Sequence, residues 1–157
     1  MIRQDYLLRE IERIVEFALR AMGIKQAEDP TEFVRFLQQN CANLTGVQYE
    51  TLLDSSSAQL VSLLYQPNSP GIGRLVASGT LLCEAADVHR LKSELDEARE
   101  LFTRGAEILA FTAAQESGDS RTLINTHLLR LHERIHHFHF PPEEAPRLAA
   151  LLTPPQP

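Results

Sequence analysis

The residues best spaced for chemistry are His132, Glu133 and His136, in the string His132-Glu133-Arg134-Ile135-His136. Two imidazoles four residues apart share one face of a helix and can hold a zinc ion, while the glutamate between them activates a bound water. The chemistry would be zinc-dependent hydrolysis. His137 and His139 follow, and clustered imidazoles also take Zn2+ or Ni2+ without any open catalytic position. Elsewhere the chain offers less. Gly71-Ile72-Gly73 is too short for a phosphate loop and lacks a lysine, and Ser117-Gly118-Asp119-Ser120 reads as a turn followed by a cap. Cys41 and Cys83 are isolated and read as buried thiols.

The element that must carry the histidines weakens the hydrolytic reading. Ile124, Leu128, Leu131, Ile135 and Phe138 predict one helix over 120–138, broken by Pro141 and Pro142. With those side chains inward, His132 falls at the edge of the buried face, Glu133 points to solvent and His136 lies almost on the solvent side. Zinc proteases that carry this string keep uncharged residues where Arg134 stands. His139, Glu143 and Glu144 lie beyond the helix end, so a third ligand lacks a place. The segment therefore reads as a polar helix end whose imidazoles complement the helix dipole. A metallohydrolase using His132 and His136 is the alternative, and no cofactor is expected.

The rest of the chain is punctuated for helices. Leu7, Ile11, Ile14, Val15, Ala18 and Met22 recur at helical spacing over 2–22, a stripe broad enough for more than one neighbour, with Gly23 as the stop. Asp29-Pro30-Thr31-Glu32 opens a second helix as a capping box, with Phe33, Phe36, Leu37, Cys41 and Leu44 inward and Gly46 at its end. A short helix over about 47–53 and one capped by Ser55-Ser56-Ser57 through Tyr65 follow, then a turn at 66–70. The next pair spans about 71–89 and 94–115, the second helix capped by Ser93. A link that short makes the two antiparallel. Pro146 delays a last helix that ends near Leu152. The fold class is all-α, a compact domain of seven or eight helices over 1–152, with a loose tail over 153–157.

In the central pair, Leu82, Ala85, Ala86 and His89, then Ala98, Phe102 and Gly105, resemble a tetratricopeptide repeat in their spacing. The large first-helix aromatics of that family are replaced, and Ala110 stands where its closing proline often falls. The resemblance covers about 34 residues. It implies a scaffold that binds a protein or peptide, with Leu82, His89 and Phe102 as the expected contact residues. A generic antiparallel pair with small residues at its crossing fits the same link. The N-terminal run Gln4-Asp5-Tyr6-Leu7-Leu8-Arg9-Glu10-Ile11 is similar to the opening helix of a bacterial family of unknown function, which implies an all-helical fold and no activity. Tyr6 is expected to pack near the helix start.

Charge sets the remaining bounds. The formal net charge of the 157 residues is −6, with a pI near 5.5. With Arg and Lys interleaved among acids, no basic patch offers itself to a phosphate backbone, so no nucleic-acid partner is expected. No apolar run approaches the roughly 20 residues that span a bilayer, the N-terminus lacks a signal-peptide core, and a cytoplasmic location is expected. The function anticipated is contact without catalysis, with a protein, a peptide or a second copy. A groove left open along the first helix of the central pair favours peptide binding; a covered groove with an apolar patch on helix 1 favours an oligomer.

Overall fold

The computed structural model describes residues 2–25, 29–65 and 71–154. Among them are eight α-helices and no strand: α1 (Ile2–Lys25), α2 (Pro30–Thr45), α3 (Tyr49–Asp54), α4 (Ser57–Leu64), α5 (Gly71–Leu91), α6 (Leu95–Gln115), α7 (Gly118–Arg134) and α8 (Ala145–Leu151), with one 3-10 turn over Ile135–Phe138. The expected turn at 66–70 and most of the expected tail lie outside the described residues.

The axis of the fold is α5. From Gly71 to Val88 every residue except Arg74 is buried. A helix hidden on all sides has no amphipathic face to display. Its small residues, Gly73, Ala77, Ser78, Gly79, Ala85 and Ala86, instead let neighbours come close on every side. Its hydroxyls are satisfied within the helix: Ser78 Oγ donates to the Arg74 carbonyl at 2.8 Å and Thr80 Oγ1 to Val76 at 2.8 Å. Around it pack α6 most closely, then α2, α1 and α4, with α7 against α6 and α1. Helical periodicity over 71–89 sets Leu75, Leu82, Ala85, Ala86 and His89 on one face; the observed burial extends around the helix except at Arg74.

The α5–α6 pair is antiparallel, Gly79 meeting Gly105 and Cys83 meeting the carbonyl of Phe102. A Cβ on Gly105 would lie 2.5 Å from Cys83 Sγ and 2.6 Å from the Gly79 carbonyl oxygen, so the two backbones touch where neither residue has a side chain. Ser93 does not cap α6. It takes the left-handed conformation (φ 62°) that closes α5. Glu94 N–H bonds the His89 carbonyl at 2.8 Å and Ser93 N–H bonds Arg90 at 3.0 Å, the paired bonds of a Schellman ending. Asp29 caps α2 through the N–H groups of Thr31 and Glu32, while the Glu32 carboxylate turns to Arg35, so only half of the capping box forms. The full box occurs at α4, where Ser56 and Gln59 exchange bonds of 3.1 and 2.8 Å.

Two boundaries move for physical reasons. Gly23 does not stop α1; the helix continues to Lys25, whose ammonium reaches buried acids on α5. The helix expected over 120–138 begins at Gly118 and ends as an α-helix at Arg134, tightening into the 3-10 turn. Arg99 holds that turn by donating to the carbonyls of Phe138 at 2.8 Å and His139 at 2.7 Å.

Candidate functional site

The histidine segment straddles the junction of α7 and the 3-10 turn, with His132 in the first and His136 in the second. His132, Glu133, His136 and His137 are all exposed. The rings of His136 and His137 meet edge-on at 4.2 Å between centroids, and burial, with His136 adding to it, pushes the His137 imidazole below its ordinary range. Among the described residues no group of three His, Cys, Asp or Glu side chains is placed to share a metal.

Arg134, inside the same string, turns the other way. Its Nη1 lies 3.3 Å from Glu84 Oε1 and its Nη2 lies 2.6 Å from Asp87 Oδ2 and 3.3 Å from the Cys83 carbonyl. Lys25 arrives from the end of α1, its Nζ 2.9 Å from Asp87 Oδ2 and 2.6 Å from Glu84 Oε2. The contact with Glu84 lies off the hydrogen-bond direction and is one of charge. Arg90 Nε completes the set, 3.0 Å from Asp87 Oδ1. Both carboxylates are almost wholly out of solvent. Burial alone pushes the Asp87 carboxyl up; Arg134 and Lys25, with the bonds from Lys25 and Arg90, more than offset it and hold it below the ordinary value. Burial likewise pulls Arg134 down, and the two acids more than reverse that. Sequence reading missed this cluster. The signal was present, since Glu84 and Asp87 are the only charged residues between Arg74 and Arg90.

The residues read as contact points divide. Leu82 and Phe102 are completely buried. Phe102 sits 4.6 Å from the Phe138 ring and 6.1 Å from the Phe140 ring, so it anchors the segment after α7 to the central pair. His89 keeps an edge at the surface, where its Nδ1 lies 3.2 Å from Glu94 Oε1. The first helix of the pair thus offers no open groove. A surface groove of about 820 Å³ does lie between α6 and the 140–151 segment, but polar residues line its α6 side, Arg99 and Arg104 among them, and both of these are spent on backbone carbonyls.

Exposed leucines stand singly on α4 (Leu63), α7 (Leu129) and α8 (Leu151), while α1 carries two large apolar side chains exposed one turn apart, Leu19 and Met22. The core face of α1 is Leu7, Ile11, Ile14, Phe17 and Ala21; Phe17 and Ala21 take the places that sequence reading gave to Val15, Ala18 and Met22. A second row, Leu8, Val15 and Met22 at seven-residue intervals with Ala18 and Leu19 between, lies roughly 100° around the helix. Leu8, Val15 and Ala18 are half-buried, and Leu19 and Met22 are 55% and 53% exposed. Tyr6 is not packed as expected; it is 53% exposed on a different face, bonded to Glu10. No known family model, curated protein or solved structure matches the chain. Among the described residues no helix is long and apolar enough to cross a membrane.

Proposed function

We propose that this chain is a non-catalytic helical scaffold that works by contact, and that its docking face is the second apolar row of α1. The observation that carries the reading is the seven-residue recurrence of Leu8, Val15 and Met22 with Leu19 between them, half-buried at Leu8 and Val15 and exposed at Leu19 and Met22. Apolar residues repeating at that interval are what one helix presents to another, and exposed apolar patches mark interaction sites more often than single exposed residues do. Burial of Leu82 and Phe102 moves the contact surface off the tetratricopeptide-like pair, which would serve as the rigid support on which α1 is mounted. The cytoplasm suits the free buried thiols Cys41 and Cys83.

A photo-crosslinking residue at position 19 tests the reading in cells. It should capture one discrete species, another protein or a second copy, whereas the same residue in place of Leu63, equally exposed on α4, should not. No capture at position 19, or the same products from both positions, sinks it.

A further inference from the structure

We infer that the α1 row takes an amphipathic helix with basic side chains beside its apolar stripe, contributed by a partner protein and not by a second copy of this chain; this rests on the docking role given to α1 above. Stacking of Phe17 on Phe36, with centroids 5.1 Å apart, fixes the side on which α2 lies. Arg20, with its guanidinium 5.6 Å from the Phe36 ring, belongs to a basic row with Arg9 and Arg13 that leans toward α2. Between this row and the apolar one stand Asp5, Glu12 and Glu16, all exposed. The solvent-side rim of the apolar row is therefore acidic from Asp5 to Glu16, beside Leu8 and Val15. None of the three acids is ion-paired among the described residues.

That rim selects the occupant. Two copies of α1 packed antiparallel about a two-fold axis place Val15 on Val15 and Leu8 on Met22. The same register brings Glu12 beside Glu16 of the second copy, and Glu16 beside its Glu12. Four acids would line one edge, and like charges so placed are destabilising. Each copy also carries a formal charge of −6. A helix with Lys or Arg beside its apolar stripe meets the opposite condition. Leu8 to Met22 spans about 21 Å along the axis, so about four turns of partner helix cover it. An anionic membrane surface is repelled by the same rim.

A displayed library of four-turn peptides tests this. Leucines are fixed at seven-residue and intermediate positions, and the flanking positions are randomised among Lys, Glu, Gln and Ala. It is panned on the intact protein after depletion on the folded Leu19→Asn/Met22→Asn variant. The recovered peptides should carry Lys beside the leucines and lose about tenfold or more in affinity for Glu12→Lys/Glu16→Lys. Recovered peptides with Glu or Gln there, affinity that survives charge reversal, or no recovered peptide overturns the inference. Sedimentation separates the two claims. A dimer dispersed by Leu19→Asn/Met22→Asn overturns the basic partner while leaving α1 as the docking face; no dimer, no peptide and no crosslink from position 19 removes both.

Discussion

The two ends of one contrast lie a few residues apart on α1. At Lys25 the helix delivers a charge into the interior, to carboxylates that share three cations. At Leu19 and Met22 it holds apolar side chains out in water. Both invert the usual placement, and they differ in what balances them. The buried acids are balanced within the chain, so their value is structural. The exposed end of the apolar row, Leu19 and Met22, is covered by nothing among the described residues, and under the docking role proposed above its value lies in what it meets.

Removing one cation should break the inner half of the contrast most sharply. Arg134→Ala leaves two buried carboxylates short of their main partner, and breaking such a pair costs about 3–5 kcal/mol. Chemical denaturation should register that loss, and adding Glu84→Gln to Arg134→Met, which leaves Asp87 to Lys25 and Arg90, should restore part of it. A loss under 1 kcal/mol for Arg134→Ala would mean the acids are wetter than their burial implies.

Acid should act in the same direction. The carboxyl of Asp87 is held below its ordinary value; its contribution is full above the ordinary carboxylate range and is lost as pH falls below it. His127, buried with its Nε2 lacking a hydrogen-bond partner, is pushed down from 6.5 to about 4 by burial and by Arg130. The unfolded chain takes up this proton first, so stability falls as pH drops from 6.5 toward 4, by about 3 kcal/mol for the whole shift. Thermal melts across that range should slope downward toward acid, and His127→Leu should flatten the upper part of the slope. A flat profile in the parent protein would place His127 in contact with water.

The crossing of α5 and α6 is the other close tolerance of the interior. Gly105→Ala puts a Cβ against the Gly79 carbonyl, and should cost toward the top of the about 1–3 kcal/mol range for overpacking. On sequence grounds alanine there helps only if the crossing has room, because it removes the helix penalty of glycine. A melting temperature at or above that of the parent would show that the helices slide apart freely.

The outer half is sharpened by changes that do little to the fold. Leu19→Asn and Glu133→Gln sit at exposed positions and should each leave stability within about 0.5 kcal/mol. Only Leu19→Asn should lower capture of the partner. A loss of partner binding on Glu133→Gln would return attention to the histidine segment.

Much of this was legible in the chain because it is local. Caps at Asp29 and Ser56, the stop at Gly46 and the helical period of α7 follow from neighbouring residues. What escaped depends on partners far along the sequence. The α1 face rotated because Phe17 stacks on Phe36 of α2, which periodicity within α1 cannot show. Helix α5 concealed its full burial because small residues carry no apolar rhythm. Arg134 read as an intrusion in a metal motif; its reason is an acid pair about fifty residues upstream. The apolar row of α1 was visible as an unusually broad stripe, but which part of it lies outside was set by the fold.

The span from Glu84 to Arg134 also orders events during synthesis. Ribosomes add about 5–20 residues per second, so Asp87 and Glu84 exist for about 3–10 s before the guanidinium that closes over them has been made. Over that interval Lys25 and Arg90 are the only cations of the cluster, and Glu84 has Lys25 alone. The last third of the chain thus supplies the final cation: a nascent protein cut short before Arg134 has every helix of the central pair and the contacts of Lys25 and Arg90, but not the guanidinium that bridges both acids.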